Sequence, residues 1–453
     1  MYAPNINLSA FGLAIGEALG KFSDHFAIDE KGFVVNCCSL HQKMSAAIAP
    51  AGDCFFAAVL TPSHFLPILI LALFRKNFSE AMFDTSFTPE DRAYLQKALE
   101  LAAAGCGYVS PNPMVGAVVV KDGEIVGTGY HRNLGGDHAE VEALREAGHL
   151  GRGATLYCTL EPCSHFGKTP PCVNRVIDAG ITRMVIGTLD PNPLVNGRGV
   201  KILREHDIQV DVGLLAEACY ELNAVFFKFI TARLPFVTLK LAQSLDGKIA
   251  AANGASKWIS NEAARRLAHR WRWQHDAVLV GIGTVLADNP QLTVRAEPGP
   301  QPRRIIVDTN LRLPLAANVL TDAQVNKTLV AVGEDCGERE KMAEIENRGG
   351  RVWPIRTTAA GGLDLRHLLE RLAQENIAAV LVEGGRRIFS SLLEAQLVDQ
   401  LRCFIAPKLL GDGIPAFQGL PIGSLDEAVT LAKIKWEILE DNVLLTGSLR
   451  GTE

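Results

Sequence analysis

Cysteine is too dilute here for a disulfide scaffold: ten in 453 residues, irregularly spaced, with Cys37 and Cys38 adjacent and Cys219, Cys336 and Cys403 isolated in apolar surroundings. Most of these thiols read as small buried hydrophobes of a reducing compartment, which points to the cytoplasm. A large charge of one sign is missing as well. The formal net charge of −5 supplies no global basic field for nucleic acid or an anionic membrane, although a local group of Arg and Lys can still hold a small anion. No linker rich in Gly or Ser, internal repeat or low-complexity tract is present. One apolar run approaches membrane-spanning length, residues 54–74, "CFFAAVLTPSHFLPILILALF", followed by Arg75 and Lys76. A spanning helix needs about 20 apolar residues, but Pro62, Ser63, His64 and Pro67 interrupt this one and no small-residue cleavage site is evident. A loosely packed extension is expected in preference to a membrane tether.

What is present suits a soluble globular protein. A content of 48% hydrophobic and 21% charged residues supports real cores, and at ~150 residues per domain the length suggests two or three domains. The organised chain begins near Met82. Thr88 can cap a helix, Pro89 fits its first turn, and Glu90 and Asp91 suit its positive end. Strands then alternate with helices: "VGAVVVKDG" turns at Asp122-Gly123 into "EIVGTGYH", followed by helix "HAEVEALREAG", strand "ATLYCTL", helix "CVNRVIDAG", strand "RMVIGTLD" and helix "GVKILREHD". A second block repeats the pattern with strands at "PFVTLKLAQSLDG", "DAVLVGIGT", "RRIIVDT", "TLVAVG", "AAVLVEGG" and "LRCFIAPKLLG". Such alternation indicates α/β layering. The expected division is an extension of unknown role over residues 1–81, one domain over 82–228 and another over 229–453, with a short join near 225–235.

The chemistry concentrates in two stretches of the first block. "TLEPCSHFGKTPPC" holds Cys163 and Cys172, and "DHAEVEAL" holds His138 and Glu140. One histidine and two thiolates are a nitrogen and sulfur set for zinc that leaves a fourth position to water. A carboxylate two residues from the histidine can shuttle protons for that water, the arrangement of zinc nucleobase deaminases. Cys-x8-Cys departs from the shorter spacing of that signature, and two cysteines at this distance could be structural thiols alone. Pro162, the upstream His-x-Glu and the strand-loop-helix context favour the metal. His165 is the rival ligand, placed below His138 because it lacks an adjacent carboxylate.

The second block lacks G-x-G-x-x-G after its strands, so a Rossmann site is not supported. It does contain "VLVEGGRRIFSSLL", where a strand ends in Gly384-Gly385 and enters a helix. Such a junction is either a tight turn or a place where backbone N–H groups approach a phosphate.

Together, "SPNPMVGAVVV", "GYH", "HAEVEAL", "TLEPCSHFGKTPPC" and "DPNPLVNGRG" resemble the deaminase half of the bifunctional riboflavin-biosynthesis deaminase/reductase family, in which the long cysteine spacing is the rule. "LKLAQSLDGKIA", "SKWIS", "GIGTVLADNPQLTVR", "RRIIVDT" and "VEGG" resemble its reductase half. The resemblance covers about residues 82 to 450. Family members usually begin near the position of Met82, so residues 1–81 read as an extended or misassigned start.

The resemblance implies a cytidine-deaminase-like α/β/α layered domain, then a dihydrofolate-reductase-like α/β domain, with zinc and NADPH as cofactors. Its implied substrate is 2,5-diamino-6-ribosylamino-4(3H)-pyrimidinone 5′-phosphate. Asn112 would present an amide to the pyrimidine edge, Asp190 and Asn192 would pair with its other polar groups, and His131 and Lys168 would take the phosphate. The plainer readings are turn residues for Asn112, Asp190 and Asn192 and a solvated charge for Lys168. In the second half, hydride from NADPH would reach the ribose C1′ of the deaminated product. Ala242, Trp258, Thr284, Asp288 and Thr309 would contact the cofactor, as would the run Gly385, Arg386, Arg387, Ile388, Phe389, Ser390 and Ser391. Ser256, Leu292 and Glu383 would contact substrate, with Arg272 and Arg295 on its phosphate. Lys240 and Asp246 would polarise or relay protons near the ring that opens, unless they form only a strand-end salt bridge. A homo-oligomer is expected, with a small phosphorylated pyrimidine as partner and no nucleic acid. Two rivals differ in class: a tRNA adenosine- or cytidine-type deaminase with an appended phosphate-binding module, which would want a basic face, and a non-catalytic protein stapled by zinc, which would want a fourth protein ligand.

Overall fold

The computed structural model describes residues 87–164, 170–193, 195–296 and 298–449, together with two short paired strands, β1 (Ile28–Asp29) and β2 (Gly32–Phe33). The apolar run at 54–74, His165 and Lys168 lie outside the described residues. The chain divides into two units, Met1–Ser79 and Glu80–Glu453, and the second carries both layered sheets.

Helix α1 (Pro89–Ala103) starts as its sequence dictates. The Asp91 N–H donates to Thr88 Oγ1 at 3.1 Å and the Thr88 N–H donates back to Asp91 Oδ2 at 3.0 Å, a reciprocal cap of two otherwise orphaned donors. Burial works against the Asp91 charge, but the Arg183 guanidinium and the Tyr157 hydroxyl hold its carboxyl down at about 2. That network pins α1 to the sheet behind it.

The first sheet has the order β4-β3-β5-β6-β7. It comprises β3 (Gly116–Lys121), β4 (Glu124–Tyr130), β5 (Thr155–Leu160), β6 (Arg183–Thr188) and β7 (Gln209–Val212). β4 and β5 flank β3 antiparallel, and the rest is parallel. The period-2 pattern of β3 sorts its two faces. Val118 and Val120 pack with Leu95 and Ala98 of α1. Ala117 and Val119 pack with α2 (Ala139–Ala147), in a core shared with α3 (Cys172–Asp178) and α4 (Arg198–Glu205). This is the expected α/β/α layering.

Two helices, α5 (Ala216–Leu222) and α6 (Ala224–Ala232), precede the second sheet, and Arg233, Leu234 and Pro235 connect α6 to β8 (Phe236–Ser244). The apolar "AVFFKFITA" of α6 bridges the two halves: Phe226 packs into the first core, whereas Lys228 reaches Asp399 of the second half at 2.5 Å.

The second sheet has nine strands in the order β13-β12-β11-β10-β14-β8-β15-β18-β17. After β8 come β9 (Lys248–Ala250), α7 (Glu262–Gln274), β10 (Ala277–Gly281), α8 (Ile282–Asp288), β11 (Arg303–Val307) and α9 (Asn318–Thr321). Then follow β12 (Thr328–Gly333), α10 (Arg339–Asn347), β13 (Arg351–Ile355), α11 (Leu365–Gln374), β14 (Ala379–Gly384) and α12 (Arg386–Glu394). The chain closes with β15 (Gln400–Ala406), β16 (Ile414–Pro415) and a hairpin of β17 (Leu431–Leu439) and β18 (Asn442–Leu449). From β13 to β15 all pairings are parallel. Successive strands run outward from β10 to β13, and then β14 joins on the other side of β10. That reversal opens a crevice beyond the carboxyl ends of β10 and β14, the place where open α/β sheets bind ligands. No described helix is long and apolar enough to cross a membrane.

Candidate functional site

Two glycines set the first site. Gly127 and Gly129 of β4 face α2, where a Cβ would fall 2.2 Å from the Ala143 carbonyl and 2.3 Å from that of Ala139. Only hydrogen there lets α2 lie this close. Its N-cap is His138, and Glu140 follows in its first turn, buried. Cys163 lies in the loop after β5, and Cys172 is the first residue of α3. His138 Nδ1 comes within 3.1 Å of Cys172 Sγ and 3.6 Å of Cys163 Sγ. Among the described residues these three alone form a group of His, Cys, Asp or Glu whose donor atoms all lie within 4.8 Å of one another. The hydrogen bond from Cys172, helped by His138, holds the Cys163 thiol down at about 4, and the same bond pushes Cys172 up. Cys163 in turn holds His138 up at about 9, against burial. Burial pushes the Glu140 carboxyl up, and that carboxyl lies within hydrogen-bonding reach of Cys172.

Beside this cluster the structure places Asn112 and His131, with Asp190 and Asn192 on a separate loop, and it adds two residues that the sequence did not flag. The Asn112 amide stands 3.4 Å from His131 Nε2, and the His131 ring meets that of His138 edge-on with centroids 5.5 Å apart. His131 is buried, with Nδ1 on the Asp137 carbonyl, and burial lowers its pKa. This favours a neutral ring over the phosphate-binding cation expected of it. Asp190 is buried and accepts the Asn192 N–H through Oδ1 at 2.8 Å, so part of the Asp-Pro-Asn-Pro stretch is turn chemistry as well. Glu161 was missed. Its carboxylate accepts the N–H groups of Gly197, Gly199 and Val200, which open α4, and that of Asp190. It thus caps a helix from a distant strand and ties the loop of Asp190 and Asn192 to the residue before Pro162-Cys163. An acid closing the apolar run "ATLYCTL" was the available signal, since buried carboxylates are rarely unpaired. Asn223 was missed too. It exchanges two hydrogen bonds with the Met114 backbone, at 2.8 and 2.9 Å.

The second site is a cleft of about 680 Å³ at the carboxyl ends of β8, β10 and β14, within the usual size of a cofactor pocket. Lys240, Ala242, Ser256, Trp258, Arg272, Thr284, Asp288, Leu292, Arg295, Glu383, Gly385 and Phe389 line it. Gly384 needs its hydrogen, because a Cβ would stand 2.8 Å from Thr284 Oγ1. Arg272 and Glu383 form a two-pronged ion pair at 2.5 and 2.8 Å. Burial pushes the Glu383 carboxyl up, but Arg272 and Lys240 prevail and hold it at about 2. Burial also pushes the Lys240 ammonium down, opposed by Glu383.

Several expected residues fall outside the cleft. Asp246 accepts the backbone N–H groups of Leu410 and Gly411 and the Ser244 hydroxyl, which makes it a loop anchor. The Thr309 carbonyl accepts the Gly333 N–H at 2.9 Å, away from the cleft lining. Arg386, Arg387, Ile388, Ser390 and Ser391 also lie off the lining, because a helix turns successive side chains to different faces. Ile388 lies under Gly281, and the Ser390 hydroxyl donates to the Arg386 carbonyl. Arg272 is thus engaged by Glu383, whereas Arg295 donates to the Gln291 and Thr293 side chains.

Residues 88–188 match the family described as "Cytidine and deoxycytidylate deaminase zinc-binding region", and residues 235–445 match "RibD C-terminal domain". The chain is 45% identical over 356 residues to "Riboflavin biosynthesis protein RibD" of Aquifex aeolicus (strain VF5), covering 78% of this chain and 97% of that relative. The chain belongs to the RibD family. Solved members agree in fold. Acinetobacter baumannii RibD, 36% identical, has a TM-score of 0.71 and covers 80% of this chain and 99% of its own. The Thermotoga maritima deaminase/reductase, 37% identical, gives 0.70 with the same coverage. As a RibD protein the chain is a bifunctional deaminase and reductase of riboflavin biosynthesis, with a zinc-binding deaminase domain and an NADPH-dependent reductase domain. The donor set fits the metal. Zinc bonds of ~2.0–2.1 Å to nitrogen and ~2.3 Å to sulfur at tetrahedral angles put nitrogen and sulfur roughly 3.5 Å apart, and the two N···S distances bracket that value.

Proposed function

We propose that the chain deaminates 2,5-diamino-6-ribosylamino-4(3H)-pyrimidinone 5′-phosphate at the His138, Cys163 and Cys172 site, then reduces the ribosyl group of the product to ribityl in the cleft beside β14. The observation that carries this reading is the presence, in one chain, of a one-histidine, two-cysteine cluster with Glu140 at its side and a glycine-edged cleft holding Lys240, Glu383 and Arg295. His138, Cys163 and Cys172 would hold zinc, which when bound would supply the acidity that brings the pKa of a water towards ~7. Glu140 takes a proton from the attacking water and delivers it to the departing C2 amino nitrogen, so that ammonia leaves and oxygen takes its place. Asn112, Asp190 and Asn192 orient the pyrimidine beside that carboxylate. NADPH supplies the hydride for C1′ when bound. Lys240, close to Glu383 at the floor of the cleft, suits the proton that the opening ring oxygen requires, and Arg295 holds the substrate phosphate. Purified protein given the diamino substrate and NADPH should release ammonia and consume NADPH in equal amounts. Ammonia without NADPH loss would leave the second half unexplained.

Cys163→Ser or Cys172→Ser should cost the chain its zinc, because a hydroxyl is a far poorer ligand than a thiolate. We expect about one zinc per chain in the parent and little in either variant by metal analysis. A full complement in Cys172→Ser would remove that residue from the ligand set.

The domain division stands on the same footing. A chain lacking residues 1–81 should keep both activities, since Thr88 caps its first helix independently, and should share the cytoplasmic fraction with the full chain. Loss of either activity in a folded truncation would make the extension part of the working enzyme. A homo-oligomer also fits. Edge strand β17 exposes Ile434, Trp436 and Ile438 at alternate positions, a row that a second copy would cover. Light scattering should give a multiple of the chain mass, and Trp436→Glu should reduce it. A parent that scatters as a monomer contradicts this.

A further inference from the structure

We infer that the reductase half holds the deaminase's substrate loop in place, with Asp276 positioning Asn112 through Ser110. This rests on the reading of Asn112 as a contact of the pyrimidine. The Ser110 hydroxyl donates across the two halves to Asp276 Oδ2 at 2.8 Å. That same oxygen accepts the backbone N–H groups of Ala378 and Ala379 at 2.8 and 2.9 Å, so the start of β14 fixes it. On the other side, two residues after Ser110, the Asn112 amide approaches His131, whose ring meets that of His138. A short chain of contacts therefore runs from the base of the reductase sheet to the histidine of the metal cluster.

Sterics reinforce the link. Gly107 has φ of 77°, and a Cβ there would fall 2.5 Å from Trp273 Cε3, at the end of α7. The Tyr108 ring lies 6.0 Å from that of Trp273. At its far end the loop is clamped by Asn223 on the Met114 backbone. Gln274 and Ala379 of the reductase half line the same small cavity as Ser110, Asn112 and Asn223. The loop is thus held at both ends, and Asn112 lies between the clamps. A displacement of ~1 Å in a substrate-orienting group can cost a large factor in rate or binding, so the clamp bears on function. Asp276 touches neither substrate nor cofactor and is a positioning residue. It stands at the amino-terminal edge of the sheet, whereas the hydride cleft opens at the carboxyl edge, so a change here should be read in ammonia release.

The test uses the full chain with Ser110→Ala, Ser110→Thr and Asn112→Ala. Ammonia release is measured across a range of diamino substrate, NADPH oxidation on the already deaminated product, and zinc by metal analysis. Ser110→Ala should raise the deaminase KM about 5-fold or more, in line with loss of a hydrogen bond to a charged acceptor, with kcat within about twofold. Zinc and NADPH oxidation should not change, and Ser110→Thr, which keeps the hydroxyl, should restore KM. An unchanged KM in Ser110→Ala, beside a raised one in Asn112→Ala, overturns the positioning role alone. An unchanged KM in Asn112→Ala removes the underlying reading of Asn112. Loss of zinc in Ser110→Ala, or no rescue by Thr, would reduce the contact to general structural support and overturn the inference.

Discussion

Glu140→Gln should lower ammonia release by about 10²–10⁴-fold while zinc stays bound. Glutamine keeps the size and hydrogen bonding of the side chain and loses only its basicity. Glu140 is buried in the first turn of α2 beside Cys172, and one group serves several proton transfers there, so the upper end of that range is expected. The variant should accumulate the diamino compound yet still oxidise NADPH on the deaminated ribosylamino-uracil phosphate. Should both steps vanish in a folded, zinc-loaded variant, two separate sites could not be maintained.

The converse experiment targets Arg295. Its guanidinium donates to the neutral Gln291 and Thr293 side chains, whereas the charge of Arg272 is already met by Glu383. Of these two arginines, Arg295 is therefore the one with charge to offer a phosphate. Removing a charge-assisted hydrogen bond of this kind costs ~1.5–3 kcal/mol, roughly 10- to 100-fold. Arg295→Ala should show that loss in kcat/KM for NADPH oxidation, with ammonia release close to normal. A mild Arg295→Ala beside a crippled Arg272→Ala would move the phosphate to Arg272 and require the ion pair to open on binding.

Much of this was legible in the chain because the relevant signals are local. Thr88 with Asp91 forms the cap that their spacing allows, and Asp122-Gly123 turns the first hairpin with both residues at positive φ. His138 and the two cysteines meet because helix starts and a strand end present them, positions that alternation alone locates. What was not legible depends on direction and distance. The run from Gly385 to Ser391 is continuous in sequence, yet only Gly385 and Phe389, four apart on one helical face, line the cleft. Glu161 serves amide groups between 29 and 39 residues away, which no local pattern reports. The β17–β18 hairpin did leave a trace in the alternation of "LAKIKWEIL", and the charges between its apolar residues hid it. Asp246 looked catalytic beside the strand of Lys240, but the turn after Ser244 carries it to a backbone loop instead.

The reductase sheet meets the deaminase at one edge and opens its cleft at the other, with β10 and β14 between them. Five strand residues span roughly 16 Å, and the core around β10 is filled. The two sites of one chain thus lie toward opposite edges of this sheet, and we expect the deaminated compound to pass between them through the bulk, so that the flux through the pair is set by how much of it accumulates there. NADPH consumption begun from the diamino substrate should show a lag that shortens as enzyme is added, and a surplus of deaminase-dead Glu140→Gln chain should capture the intermediate as readily as the chain that made it.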